Sequence, residues 1–279
     1  LGDAERREAD IALYESALAQ DPYSGTFRTR LAALYMDRAR ETGLEGDVRR
    51  AEALARASLV ARTQHNAAAF STLATTLLAQ HRFVEARDVA RQLVAGEPGV
   101  AAHEALLGEI ELEIGDDAAA DRRFTALGDS VRRLGIAPRA ARWEEVNGRP
   151  GTARFLLEGA WGEARTRDDL PRMQVAWFAL RLGDFERRQG RHATAERILR
   201  EGLALAPADH RLLAELARVA ADQGRWSDAI ELGERATAVT LDPGTLGLVS
   251  DAYAVVGDSA ASRRYAAAME TAVLGQQLP

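Results

Sequence analysis

The chain has 279 residues, a formal net charge of −6 and no cysteine. All 36 residues of the Lys+Arg set are arginine, which excludes lysine and cysteine nucleophiles, cysteine zinc sites and disulfides. Residues 1–134 hold 17 arginines against 22 acidic residues and the remainder holds 19 against 20, so neither half has the basic surplus of a nucleic-acid-binding domain.

The predicted elements are helices, and they recur along the chain. Apolar residues at helical spacing, such as Leu31 with Leu34, are followed by glycines that suit a left-handed helix cap. These glycines are Gly46, Gly115, Gly148, Gly190, Gly224 and Gly257, with His81 in the one missing slot. Their successive spacings are 35, 34, 33, 42, 34 and 33 residues. Each unit is therefore predicted to be a helical hairpin.

Small residues recur at two places in every unit. Five residues after the glycine or its substitute, six of the seven units carry alanine and the last carries Ser262. Seven residues before it, allowing for one insertion, every residue is small, as at Gly108 and Gly183. Antiparallel helices approach to the short end of the ~8 to 10 Å interaxial range only where side chains are small, so these places mark where the two helices of a pair cross.

In chain order, residues 4–20 read as a second helix whose first helix is absent. Two units are longer than the period, the first around Met36–Glu45 and the join at 165–175. The extra residues either lengthen a helix or loop, or bend the chain at 165–175 between residues 1–167 and 176–279. Seven predicted helix pairs follow the first helix, at 25–66, 67–100, 101–134, 135–168, 176–209, 210–242 and 243–276.

A period near 34 with small, Gly, Ala and Pro residues in this order resembles the tetratricopeptide repeat. A well-matched unit is 176–209, with Gly183, Gly190, Ala195 and Pro207. The resemblance implies an all-α fold, a right-handed α-solenoid of about seven antiparallel helix pairs over 1–279 preceded by one helix. It also implies a concave groove lined by the first helices.

Motifs for catalysis are absent from the sequence, which has no HExxH, GxSxG, nucleotide-binding GxGxxG or calcium loop. The five histidines lie in different units without an i, i+4 partner. The aspartate pairs at 116–117 and 168–169 are expected at helix starts or loops, as caps. We therefore expect no enzyme activity, no metal and no cofactor.

The groove places implied by the resemblance differ along the chain. Places near the start are hydroxyl-rich and predict a small, neutral floor, whereas places in 135–242 hold more arginines than acids. The ninth places alternate in sign from Glu109 through Arg142, Asp184 and Arg218 to Asp251. This alternation predicts either a structural ladder of ion pairs or arginine forks held ready for ligand carboxylates.

The sequence thus predicts a non-enzymatic scaffold that binds a protein or peptide, of acidic preference, in the groove. Trp177 is either an aromatic anchor or inter-unit packing, whereas Trp143, Phe178 and Phe185 are expected in the core. The carboxylate clamp of chaperone-tail adaptors is missing from the fifth places. The predicted partner-binding residues are Arg139, Arg142, Trp177, Arg181, Asp184, Arg188 and Arg218.

Alternative functions stay open. The chain is either a module that self-associates through its terminal helices, using Tyr265, Met269 and Val273, or the docking part of a larger enzyme. No apolar run has the ~18 residues of a membrane span, so an integral membrane protein is not expected. A start at Leu1 rather than Met suggests that a preceding segment was removed, and a cytoplasmic or an exported location is compatible with the sequence.

Overall fold

The computed structural model describes residues 2–277, and its regular elements within that range are all helical. A 3₁₀ turn at Gly128–Arg132 separates the seventh and eighth α-helices. The α-helices are α1 Asp3–Gln20, α2 Gly25–Thr42, α3 Glu45–Ala61, α4 Ala67–Ala79, α5 Phe83–Gly96, α6 Ala101–Glu113, α7 Asp117–Leu127, α8 Ala137–Val146, α9 Pro150–Ala164, α10 Arg172–Arg188, α11 His192–Leu205, α12 His210–Asp222, α13 Trp226–Thr237, α14 Pro243–Val255 and α15 Ser259–Gln277.

The described helices confirm the predicted order of one leading helix and seven pairs, α2/α3 to α14/α15. The second helix of one pair also contacts the first helix of the next, as α3 contacts α4 and α11 contacts α12. First helices touch one another as well, since α2 contacts α4, α6 contacts α8, and α12 contacts both α10 and α14. The first helices therefore present neighbouring faces, where the sequence predicts the groove.

The chain divides into two compact units, Leu1–Glu163 and Ala164–Pro279. The core of the first includes Phe124 and Leu107, and that of the second includes Phe185 and Leu199, all almost fully buried. The division falls just before the long join at 165–175, but the bend expected there stays a prediction. Part of that join lengthens α10 at its N-terminus, because α10 begins at Arg172.

The predicted left-handed caps are confirmed at all but one position. Gly115, Gly148, Gly190, Gly224 and Gly257 have φ between +71° and +88°, and His81 takes the same conformation at +57°. In each case the following residue closes the helix end by donating to a carbonyl five residues back, as Arg191 N does to Glu186 O at 2.9 Å. Position 81 is thus a cap without glycine.

The prediction for Gly46 was wrong. Gly46 lies in the first turn of α3, whereas Gly43 has φ +69° and its N–H donates to Ala39 O at 2.8 Å. The insertion in the first unit explains the error. It extends α2 to 18 residues, against 13 in α4 and α6, so the first cap no longer keeps its spacing.

This reassignment predicts opposite effects of alanine at the two glycines. Gly46→Ala should stabilise the protein by about 0.5 to 1 kcal/mol, because alanine loses less backbone entropy in a helix and its Cβ would meet nothing within 4 Å. Gly43→Ala should destabilise it by about 1 kcal/mol, because the left-handed backbone is strained for alanine. Urea unfolding followed by circular dichroism checks both; effects of the same sign would contradict the assignment.

The small-residue places pack as predicted. A Cβ built on Gly183 would lie 2.5 Å from Leu199 Cγ, and one on Gly108 would lie 2.9 Å from Phe124 Cε2. The large partner stands sixteen residues later in both units and is buried. The second helix of the hairpin therefore places a bulky side chain against the backbone of the first, which leaves no room for a side chain at position 108 or 183.

Candidate functional site

Four of the predicted partner-binding residues form one stripe on α10. Trp177, Arg181, Asp184 and Arg188 follow at spacings of four, three and four, which places them on a single helix face. The stripe is locally braced, because Arg188 Nη2 donates to Asp184 Oδ2 at 3.1 Å and Arg188 Nε to Asp184 Oδ1 at 3.2 Å. Trp177 is half-buried and packs edge-on against Phe178, with ring centroids 5.0 Å apart.

Arg181 differs from the other charged residues of this stripe. Its side chain is half-buried, yet it makes no hydrogen bond or ion pair with any residue in the described part of the chain. Partial burial of a guanidinium without a counter-charge costs solvation free energy that no interaction within the protein compensates. Arg181 is thus available to an anionic partner.

The joint between α10 and α12 is built around the buried carboxylate of Glu215. Arg187 reaches across from α10, donating to Glu215 through Nε and to Asp222 Oδ2 through Nη1 at 3.1 Å. Arg218 Nη1 donates to the other oxygen of Glu215 at 2.8 Å and lies 3.9 Å from Asp242. Burial opposes the charge of Arg187, but its hydrogen bonds to Glu215 and Asp222 outweigh burial and raise its pKa. These arginines are therefore neutralised within the fold.

Arg211, one of the arginines at groove places in 135–242, is also neutralised. Its guanidinium makes a bidentate contact with the buried Asp209, at 3.0 Å from Nε and 2.7 Å from Nη2. Asp209 also caps α12 by accepting the Arg211 N–H at 2.9 Å. Of the groove-place arginines in the second unit, only Arg181 is therefore left without a carboxylate partner among the described residues.

The other two predicted residues lie in the first unit. Arg139 Nε donates to Glu109 Oε2 at 2.7 Å and joins α8 to α6, while its Nη1 donates to Gly135 O at 2.8 Å. Arg142 is exposed and lies 3.7 Å from Glu145 of its own helix. The remaining five predicted residues, Trp177, Arg181, Asp184, Arg188 and Arg218, all belong to the second unit.

The ninth-place ladder was wrong in its pairings. Glu109 pairs with Arg139 rather than Arg142, and Asp184 with Arg188. Ion pairs do cross between neighbouring first helices, but they start from other places of the repeat, as Arg187 shows. The reason is reach, because a long arginine side chain can contact a carboxylate several places away from the one directly opposite it.

A second set of ion pairs was missed by the sequence reasoning. Glu144 and Glu186 are buried one turn before a capping glycine, and each accepts from the arginine just after that glycine, Arg149 and Arg191. The signal is the repeated pattern Glu-x-x-x-Gly-Arg. Both arginines also stack on aromatic rings, Arg149 at 4.7 Å from the Trp143 centroid and Arg191 at 5.6 Å from that of Phe185. These pairs hold hairpins together rather than form a binding site.

The aromatic residues expected in the core are there. Trp143, Phe178 and Phe185 are buried, and Trp143 stacks on Phe124 with centroids 5.4 Å apart. Of the expected caps, Asp116 is confirmed, since its carboxylate accepts the Ala119 N–H at 3.2 Å. Asp169 instead pairs with Arg167 in the join before α10.

The hydroxyl-rich floor in the first unit is not neutral. Thr26, Thr29 and Thr72 line a cleft, as expected for small polar groove places, but so do Arg30 and Arg62. Arg62 comes from the link between α3 and α4 rather than from a first helix, so groove places alone did not reveal it.

The predicted self-association surface is only partly exposed. Tyr265 is half-buried, stacks on Tyr253 with centroids 5.7 Å apart and donates to Glu234 Oε1 at 2.9 Å. Met269 is half-buried as well, whereas Val273 is exposed. Tyr265 thus belongs to the last hairpin's own packing, and association through the chain's terminal helices stays a prediction.

Two further searches concern the described residues alone. No group of three or more His, Cys, Asp or Glu side chains converges there in a metal-binding arrangement. None of the helices in that range combines the length and apolarity needed to cross a bilayer.

Comparison with known proteins identifies the repeat. Residues 186–243 match the tetratricopeptide repeat family. The fold is similar to the crystal structure of the APC/C hetero-tetramer Cut9–Hcn1, with TM-score 0.68, 13% identity and coverage of 90% of this chain and 47% of that one. This chain therefore spans about half the length of that relative. No curated protein matches the chain.

Two other solved structures share the fold. A human IFIT1 dimer with PPP-AAAA matches with TM-score 0.66 at 14% identity, over 96% of this chain and 69% of that one. PilW, a widely conserved type IV pilus biogenesis factor, matches with TM-score 0.59 at 19% identity, over 75% of this chain and 94% of that one. The tetratricopeptide resemblance is confirmed, by sequence in 186–243 and elsewhere by fold. Such repeats are typically non-enzymatic scaffolds that bind protein partners.

Proposed function

We propose that this protein is a non-enzymatic scaffold that binds a peptide segment or protein partner along the first helices α10, α12 and α14. Arg181 supplies the preference for an acidic group, and Trp177 supplies an apolar surface beside it. The residues from Trp177 to Arg188 lie on one face of α10, and the ion pair between Arg187 and Glu215 joins α10 to α12.

The observation that carries the proposal is the unpaired guanidinium of Arg181. Arginines nearby, including Arg187, Arg211 and Arg218, already have carboxylate partners. A ligand carboxylate would give Arg181 a charge-assisted hydrogen bond, worth about 1.5 to 3 kcal/mol. Tryptophan and arginine are also the residue types most enriched where binding energy concentrates.

A peptide-display selection tests this proposal. Random peptides are selected on the immobilised full chain, and the recovered peptides are measured by fluorescence anisotropy. We expect enrichment of aspartate and glutamate, and an affinity loss of roughly ten-fold, about 1.4 kcal/mol, for Arg181→Glu. The loss should be larger at low salt than at high salt. Trp177→Ala should weaken binding independently of salt.

The matched control is Arg263→Glu. Arg263 is an exposed arginine of α15 that has no ion pair within the described residues, so the charge change is the same but the surface differs. Binding should survive this substitution. Peptides without acidic enrichment, or equal losses for the two variants, would remove α10 from the site.

A further inference from the structure

A cleft of about 290 Å³ lies in the first unit, between α2, the link from α3 to α4, and the start of α4. Its lining contains two arginines, a histidine and three threonines but no aspartate or glutamate. This is unusual in a chain of net charge −6. The lining residues are Thr26, Thr29, Arg30, Ala33, Arg62, His65, Asn66, Ala68 and Thr72.

The cations of this cleft have no carboxylate partner among the described residues. The side chain of Arg30 is exposed and makes no hydrogen bond there, and the side chain of Arg62 donates only from Nε, to Gln64 O at 3.3 Å. In the same unit, by contrast, Arg38 pairs with Asp47 and Arg82 with Glu52. The two guanidinium groups therefore keep nearly all of their donors available.

A buried network of hydrogen bonds holds the walls of the cleft. The hydroxyls of Thr29 and Ser58 lie 2.8 Å apart and tie α2 to α3. The buried Asn66 donates to Ser58 O at 3.1 Å and to Arg62 O at 3.0 Å. This amide fixes the backbone of the link that carries Arg62 and His65, so the positions from which these two side chains reach the cleft are set before binding.

We propose that this cleft binds a phosphomonoester group carried on the side chain of a peptide. A phosphate dianion offers several acceptor oxygens, and two guanidinium groups with the hydroxyls of Thr26 and Thr72 match that requirement. Recognition of phosphorylated peptides by arginine clusters is an established mode of binding. The side-chain hydroxyls of Thr26 and Thr72 make no hydrogen bond within the described residues, so both can turn toward a ligand.

The size and lining of the cleft narrow the ligand further. Its volume lies just below the ~300 to 1,000 Å³ typical of ligand pockets, which suits one phosphorylated side chain with water. No Phe, Tyr or Trp side chain lines it, so it lacks the large aromatic surfaces on which single-stranded nucleic acids usually stack. The inference that the phosphate is carried by a peptide rests on the proposed function, since α2 and α4 are first helices like α10. The inference that the cleft binds a phosphate group is independent of it.

The test uses the full chain and a short, fluorescently labelled, glycine-rich peptide with a central phosphoserine. Anisotropy titration should show binding roughly ten-fold tighter than for the unphosphorylated peptide. Arg30→Gln and Arg62→Gln should each weaken the phosphopeptide several-fold, and together by ten-fold or more. The matched control is Arg91→Gln, an exposed arginine of α5 without an ion pair in the described range, which should bind like the unaltered protein. Circular dichroism confirms that each variant is folded.

Several results would overturn the proposal. Equal affinity for the phosphorylated and unphosphorylated peptides would do so, as would equal losses for Arg91→Gln and the double variant. Displacement of the phosphopeptide by inorganic phosphate at an equal concentration would identify a free-anion site and remove the peptide carrier. Arg181 lies in the other unit, so Arg181→Glu alters the site of the proposed function and leaves this cleft unchanged. Phosphopeptide binding should therefore survive Arg181→Glu, and the two proposals can fail independently of each other.

Discussion

Arg191→Ala is expected to lower the free energy of unfolding by about 3 kcal/mol. The carboxylate of Glu186 is fully buried and accepts from Arg191 across the capping glycine. Removal of one partner from a buried ion pair typically costs ~3 to 5 kcal/mol, because the buried charge loses that partner and is not resolvated by water. Arg191 is itself partly exposed, which places the expected loss at the lower end.

The chain provides a matched control at Arg225. This arginine also follows a capping glycine, but the place of the buried glutamate is taken by Ala220, and Arg225 pairs instead with Glu196 and Asp228. Arg225→Ala should therefore cost only about 0 to 1 kcal/mol, the usual range for exposed pairs. Urea unfolding measures both variants. Similar losses at 191 and 225 would mean that the arginine acts through the helix end rather than through Glu186.

Gly183→Val is expected to lower the free energy of unfolding by about 3 kcal/mol. A Cβ at this place would lie 2.5 Å from both Cγ and Cδ2 of Leu199, which is fully buried. Overpacking of a tight core typically costs ~1 to 3 kcal/mol, and the upper end applies because valine adds two further methyl groups. Amide hydrogen exchange should rise first in α10 and α11, the two helices that the clash separates.

A double-mutant cycle with Leu199 tests the cause of that loss. Leu199→Ala alone should cost about 2 to 5 kcal/mol through the cavity it leaves. The double variant Gly183→Val with Leu199→Ala should cost at least about 1 kcal/mol less than the sum of the single variants, because the valine fills that cavity. Strict additivity would show that the two residues do not share the contact. In that case, glycine at 183 would have to be explained by backbone conformation alone.

The cap positions illustrate how far the sequence reaches. His81 was assigned a glycine's place from spacing alone, and its φ of +57° confirms it. Gly46 was misassigned because spacing measures the distance between caps only when the helices between them keep their length. An insertion of helical residues shifts the cap without changing the local pattern, and Gly43 lies only three residues away.

The candidate site shows the limit more clearly. The stripe of Trp177, Arg181, Asp184 and Arg188 follows from helical periodicity, which is a local property. Periodicity does not show that Arg181 alone among the predicted α10 and α12 arginines is unpaired, because neutralisation of an arginine depends on carboxylates distant in the sequence. Arg187 meets Glu215 from 28 residues away, and Arg139 meets Glu109 from 30.

The sequence by itself thus determined that the chain forms helical hairpins, how many there are, where small residues let their helices cross, and which residues share a helix face. All of these features depend on residues within one repeat length, and the seven repeats show the same pattern. Only the tertiary structure decided which charges remain available, at Arg181 on α10 and at Arg30 and Arg62 in the cleft of the first unit. A long arginine side chain can contact any of several carboxylates on the neighbouring helix. Its partner therefore depends on how the two helices are placed, which no local sequence pattern determines.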